Sequence, residues 1–97
     1  DCREEYISSF QKMANLATKN CGVSDYKINR PLINLTKSEI VAIGLKNNFD
    51  YANTMSCYDP VTKDEKHYAC GACDSCFYRL EAFEKNNVKD PQLYCCL

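Results

Sequence analysis

Apolar residues first recur at helical spacing over residues 3–19, where Tyr6, Ile7, Phe10, Met13, Ala14 and Ala17 share one side and Glu4, Glu5, Gln11 and Lys12 turn away. The pattern predicts an amphipathic helix with Asp1 as its N-cap, ending before Cys21-Gly22, its stripe packed into a core. Residues 25–33 alternate weakly through Tyr26 and Ile28 before Arg30-Pro31, so one short strand or extended edge is expected, closed by the proline. Leu35-Thr36-Lys37-Ser38-Glu39 then reads as a capping box, with the Thr36 hydroxyl and the Glu39 carboxylate each accepting from the other residue's N–H. A helix to about residue 47 follows, apolar at Ile40, Val41, Ile43 and Leu45, and Asn47-Asn48 forms its stop. Gly44 inside it costs about 1 kcal/mol relative to alanine, unless a neighbour packs closely against it. Residues 49–69 read as loop, and the charged run within them, 59–66, cannot bury itself. A last helix is expected from Asp74 or Ser75 to about residue 86, with Phe77, Leu80 and Phe83 as its inner stripe and Asp90-Pro91 ending regular structure.

The candidate chemistry lies at the start of that last helix, in Cys70-Gly71-Ala72-Cys73-Asp74-Ser75-Cys76, with Cys57 upstream. Three thiols at this spacing are too close for three unstrained disulfides, but a single tetrahedral ion can collect them, with Cys57 closing the fourth corner. The reading is a structural Zn(Cys)4 site, Gly71 supplying the positive-φ turn and N–H groups of the helix's first turn reaching the thiolates. With four protein ligands no position remains for water, so the ion is not expected to do chemistry. Three other readings compete. C-x2-C-x2-C also opens a ferredoxin run, but no cysteine follows three residues later and no Cys-Pro ends it. Disulfides would suit 8 cysteines in 97 residues, although the clustered spacing argues against them. His67 could replace one sulfur, yet it sits in the polar loop and reads as a solvated side chain. Cys2, Cys21, Cys95 and Cys96 show no ligand spacing among themselves and read as ordinary thiols.

Composition narrows the function. Ninety-seven residues make one domain at most, small enough for a metal to matter to its stability. A net charge of −1 leaves no electrostatic case for gripping nucleic acid. No apolar run approaches the about 18 residues that a membrane span needs, and Asp1-Cys2-Arg3 does not read as a signal peptide. The absence of an initial methionine suits a segment of a longer protein.

Several stretches together closely resemble one family. They are Asp1-Cys2-Arg3, Pro31-Leu32-Ile33-Asn34-Leu35-Thr36-Lys37-Ser38-Glu39-Ile40-Val41, Ser56-Cys57-Tyr58 and the cysteine block followed by Arg79, Ala82-Phe83 and Asp90-Pro91. The likeness is to the C-terminal portion of the 7-cyano-7-deazaguanine synthases of queuosine biosynthesis, and it covers nearly the whole chain except the tail, residues 92–97. It implies an α/β fold of the adenine nucleotide α-hydrolase-like type, of which this chain would be the mostly helical, zinc-stabilised C-terminal part, residues 56–77 forming the zinc region. It also implies a cytosolic homodimeric ligase in which ATP activates the carboxylate of 7-carboxy-7-deazaguanine, ammonia forms the amide, and a second activation dehydrates it to the nitrile. The family's zinc ligands carry over to Cys57, Cys70, Cys73 and Cys76. Asp1 and Arg3 are candidate substrate contacts, since an arginine can hold a carboxylate bidentately. ATP would be bound by a Ser-Gly-Gly-x-Asp-Ser loop in the rest of the enzyme, the chain's expected partner. Gly22, Gly44 and Gly71 stand isolated here and cannot cradle phosphates, so this chain alone is expected to be inactive. It departs from the family at Met55, where a tryptophan is usual, and in a long loop between Cys57 and Cys70. The alternative function is a free-standing structural zinc module for protein interaction.

Overall fold

A computed structural model describes residues 3–18 and 26–95. The chain divides into two compact units, Asp1–Asn34 and Leu35–Leu97. In the first, helix α1 spans Glu4–Ala17, and Arg3 takes the N-cap position without a side-chain cap bond. Asp1, expected there, lies outside the described residues, as do Cys2, Cys21, Gly22 and Cys96. None of the residues of α1 is buried, so its stripe is not the core element that its periodicity suggested. Residues 26–30 form no strand and pair in no sheet, unlike the short strand expected there, and a turn over 31–34 follows; residue 25 is outside the described part. The segment is held to α1 by side chains: Gln11 accepts from the Ile28 N–H at 2.8 Å and Asn15 exchanges two bonds with the Tyr26 backbone. Arg30 pairs with Glu4.

In the second unit, α2 (Lys37–Lys46) begins with the capping box as expected, the Glu39 N–H donating to Thr36 Oγ1 and the Thr36 N–H to Glu39 Oε1, both at 3.2 Å. Helix α3 spans Asp74–Lys85. Both helices stop in the same way. Asn48 and Asn87 turn into the left-handed region, with φ 57° and 55°. The residue after each donates back into the last turn, Phe49 to the Gly44 carbonyl at 2.9 Å and Val88 to that of Phe83 at 3.2 Å. Asn86 then crosses from α3 to the Ser38 carbonyl at the head of α2, at 2.9 Å.

Between them lies a small core of Val41, Ala82 and Phe83, flanked by Leu45 and Tyr51. Tyr51 comes from a short 3-10 helix, Tyr51–Asn53, whose N-cap Asp50 accepts from the Ala52 N–H. Its ring meets Phe83 edge-on, centroids 5.2 Å apart, and lies across Gly44. A Cβ on Gly44 would fall into the Tyr51 hydroxyl and stand 2.6 Å from Cζ. Gly44 is therefore the exception allowed for in the sequence, a glycine kept by a close neighbour. Gly44→Ala is expected to lower stability by about 1–3 kcal/mol through overpacking, reversing the about 1 kcal/mol that helix propensity alone favours. A higher melting temperature for that variant would refute the contact.

The stretch read as loop, 49–69, is more ordered than expected. Besides the 3-10 helix it holds an antiparallel hairpin of β1 (Val61–Lys63) and β2 (Lys66–Tyr68), with Val61 opposite Tyr68. Asp64 and Glu65 make its two-residue turn at φ 52° and 62°, the positive values that such turns require. Three-residue strands turning on Asp-Glu, without Asn-Gly, carry little sequence signal. All of β1 is exposed, as the charged run required. Beyond β2, Ala69 pairs in parallel with Tyr94, its N–H donating to the Leu93 carbonyl at 2.8 Å and its carbonyl accepting from the Cys95 N–H at 3.0 Å. Beyond Asp90-Pro91 this isolated bridge is the only pairing among the described residues, and no further helix or strand follows, as expected.

Of the inner stripe expected on α3, Phe83 is buried and Leu80 half-buried, but Phe77 is not. Ser75, Cys76, Arg79, Ala82 and Phe83 are buried, while Phe77 is 59% exposed. Cys76, Arg79 and Phe83 lie three and four residues apart, so a helix that turns Cys76 to the sulfurs and Arg79 to its partner must turn Phe77 outward. The partner is Asp90. Its carboxylate takes Arg79 Nε at 2.7 Å and Nη2 at 3.0 Å, with side chains only 4% and 2% exposed. Nη1 donates to Thr54 Oγ1 at 2.9 Å and Nη2 also to the Tyr51 carbonyl at 2.9 Å. Asp90 further accepts from the Tyr94 hydroxyl at 2.6 Å and the Gln92 N–H at 2.9 Å. Burial pulls the Asp90 pKa upward, but the bonds from Arg79, Tyr94 and Gln92 outweigh it and hold the group below its ordinary value. Burial and the bond to Asp90 push the Tyr94 hydroxyl well above its own.

Candidate metal centre

The hairpin accounts for the long separation between Cys57 and Cys70. Because β1 and β2 fold back on each other, the two ends of the intervening segment return to the same place, and the Cys70 N–H donates to Cys57 Sγ at 3.2 Å. Gly71 then turns the chain at φ 75°, as its position between ligands suggested. The N–H groups of Ala72 and Cys73 both point at Cys70 Sγ, at 3.3 Å. Cys73 is the N-cap of α3, its sulfur accepting the Cys76 N–H at 3.4 Å. Cys76 projects inward from the first turn and is 1% exposed.

The four sulfurs of Cys57, Cys70, Cys73 and Cys76 all lie within 4.8 Å of one another, a grouping that could hold a metal ion. None of the four is in a disulfide. The fit can be tested on geometry: bonds of about 2.3 Å around one tetrahedral ion put sulfurs roughly 3.8 Å apart. Cys57 and Cys73, at 3.9 Å, stand at that spacing. The backbone is arranged for negative sulfur. The Cys70 N–H, against some burial and helped by Asp59, holds the Cys57 thiol below its ordinary pKa. N–H groups of Tyr58 and Cys76 bring Cys73 to about 6. Burial pushes Cys76 the other way, to about 12, so without a cation one sulfur of the set keeps its proton. A bound cation displaces such a proton, because metal-held thiols are deprotonated. Donor set, spacing and N–H orientation all fit a thiolate-bound ion.

Behind the sulfurs stands a layer for which sequence reasoning assigned no role. Ser75 Oγ donates to the Ser56 carbonyl at 2.6 Å, and Arg79 Nη1 to Ser56 Oγ at 3.3 Å, so the residue before Cys57 is fixed from α3. Gln92 is 7% exposed and donates to the Thr54 carbonyl at 2.7 Å, tying the tail to the same place. The available signal was a charge, Arg79, spaced at helical intervals among Cys76, Ala82 and Phe83 on what had to be an inner face. His67 is exposed on the hairpin, within 3.0 Å of Thr62 Oγ1 and outside the four-sulfur group. Cys95 is exposed, its sulfur directed to the Cys70 carbonyl at 3.9 Å. Arg3 stands at the head of α1, in the other unit.

Residues 1–87 match the family described as Queuosine biosynthesis protein QueC. The chain is 54% identical over 94 residues to the 7-cyano-7-deazaguanine synthase of Rickettsia bellii, a match covering 97% of this chain and 39% of that protein. It is 52% identical over 96 residues to the synthase of Rickettsia akari, covering 97% and 40%, and 54% identical over 96 residues to that of Rickettsia conorii, with the same coverage. The chain thus spans about two fifths of the length of the curated relatives it matches. No solved structure matches it. Since the family match takes in both helices of the second unit and all four clustered cysteines, this chain belongs to the queuosine biosynthesis protein QueC family.

Proposed function

We propose that this chain is the zinc-bearing C-terminal part of a 7-cyano-7-deazaguanine synthase, with Cys57, Cys70, Cys73 and Cys76 as the ligands of one structural zinc ion. The observation that carries the reading is the convergence of four sulfurs within 4.8 Å, in a chain half identical to synthases. That spacing favours a single ion over an iron–sulfur cluster, whose several irons would hold the thiolates further apart. The zinc's part is to cross-link three pieces of backbone: the approach to the hairpin, its exit and the first turn of α3. In the whole enzyme, an adenine nucleotide α-hydrolase-like α/β portion binds ATP and activates 7-carboxy-7-deazaguanine for ammonia, giving the amide and then the nitrile. Asp1 and Arg3 face the substrate in this reading, Arg3 able to hold its carboxylate bidentately. The enzyme works as a cytosolic homodimer, and the present chain contributes no phosphate loop.

Purified chain is expected to carry about one zinc per molecule, and to turn over no ATP with 7-carboxy-7-deazaguanine and ammonium. Metal analysis finding no zinc, or a brown protein absorbing near 400 nm, would overturn the zinc assignment. ATP turnover by the 97 residues would overturn the division of labour.

A further inference from the structure

Helix α1 is half-covered along one flank, at Ile7, Gln11, Ala14 and Asn15, and exposed along most of its apolar stripe. Successive residues of a helix advance by about 100°, which places Glu4, Gln11 and Asn15 together on one flank. These are the residues that engage the returning segment 26–30, through Arg30, the Ile28 N–H and the Tyr26 backbone. Ile7 and Ala14, on the border, are half-buried. The other half of the stripe is uncovered: Tyr6 is 47% exposed, Phe10 45% and Met13 57%, with Ala17 exposed beside them. Tyr6 and Phe10 already pack on each other, centroids 6.4 Å apart, so the surface is a continuous apolar ridge. An amphipathic helix ordinarily buries such a stripe; here Tyr6, Phe10, Met13 and Ala17 stay exposed among the described residues.

We propose that the ridge of Tyr6, Phe10, Met13 and Ala17 is the seat of the remaining portion of the synthase, an apolar surface carried by the three fifths of the relatives' length that this chain does not match. The proposal rests on the synthase reading above. Two observations select this occupant. The relatives that are half identical to the chain carry well over half of their length outside the match, so a longer stretch of chain than the matched one accompanies this helix in them. The ridge is also too small for self-pairing. Side chains of this kind carry 150–250 Å² each, so about half-exposed they offer roughly 300–400 Å², against the about 800 Å² that each partner brings to a stable dimer. A helix packing within a larger domain has no such minimum.

The test uses three substitutions: Phe10→Glu, the conservative Phe10→Leu, and Leu16→Glu, which lies off the ridge and is 79% exposed. Each is placed in the 97-residue chain and in the Rickettsia bellii synthase with its matching final portion replaced by this chain. The expected result is that Phe10→Glu leaves the protease half-life of the isolated chain unchanged and shortens that of the joined protein about tenfold or more, because there the carboxylate is buried without a partner. Phe10→Leu and Leu16→Glu should leave both unchanged. If Phe10→Glu spares the joined protein, the proposal fails. It fails equally if the variant unfolds the isolated chain, since the ridge is then covered within these residues, or if it turns an isolated dimer into a monomer, since the occupant is then a second copy. Zinc measured on the same samples reports separately on the metal assignment, which none of these substitutions touches.

Discussion

Replacing Cys73 by serine is expected to release the metal, to disorder residues 56–77 and to leave the helicity of α1 largely intact. The substitution isolates coordination from everything else that Cys73 does. Its sulfur caps α3 by accepting the Cys76 N–H, and serine is among the best N-cap residues, so the variant keeps the cap and nearly the same volume. An alcohol, however, is a poor zinc ligand. Structural zinc contributes an apparent 10–16 kcal/mol in peptide systems, about as much as or more than the ~5–15 kcal/mol stability of an ordinary domain. With three ligands left, the sulfur of Cys76 stays buried beside Cys57 and Cys70, and only hydrogen bonds such as those from Ser75 and Arg79 to Ser56 still join these pieces of backbone. Metal content and thermal unfolding, with and without a chelator, check it. Cys95→Ser is the control, because Cys95 stands outside the four-sulfur group and should lose no metal. A Cys73→Ser chain that kept its zinc and its melting temperature would sink the structural-zinc account; equal metal loss from Cys95→Ser would mean that the fourth ligand is misassigned.

The second large effect is expected at Arg79. Arg79→Met should cost about 3–5 kcal/mol, since it leaves the Asp90 carboxylate buried with an uncompensated charge. Asp90→Asn should destabilise as well, because an amide cannot receive all four donors that now converge on the carboxylate. Changing both residues should cost less than the two single losses combined, as expected of direct partners. It should not restore the original stability, because Thr54 Oγ1, Ser56 Oγ and the Tyr51 carbonyl each lose a hydrogen bond from Arg79. The pH dependence follows from the direction of the Asp90 shift. A carboxyl held below its ordinary value stabilises the fold at every pH above that value and loses the contribution as acid protonates it in the folded state. The gap in stability between the natural chain and Asp90→Asn should thus be flat above about pH 5 and begin to close only below about pH 4. Urea unfolding across that range measures it; a gap closing near neutrality would mean that another group carries the effect.

Much of the second unit was legible locally because its signals are short-range. The capping box at Thr36 and Glu39, the stop at Asn47-Asn48, the positive-φ turn at Gly71 and the start of α3 near Asp74 each depend on residues a few positions apart, whose backbone requirements are written in their side chains. The sulfur cluster was legible for the same reason, three of its members falling within seven residues. What needed the tertiary structure were the pairings across distance. The hairpin has three-residue strands and an Asp-Glu turn, and gains its place only because it brings Cys57 back to Cys70. Hydrophobicity placed Phe83 and Leu80 of α3 inward correctly but Phe77 wrongly, since Phe77 is as apolar as Phe83; the rotation was decided by Cys76 and by Arg79, whose partner lies eleven residues on. Gly44 was a cost in the sequence and became a requirement once Tyr51 was laid across it. Periodicity along α1 established that the helix has an apolar side, but a pattern within one helix carries no information about what stands opposite. That depends on surfaces contributed from elsewhere, and so only the folded arrangement decided that the flank of Gln11 and Asn15, with Ile7 and Ala14 at its border, is the covered one.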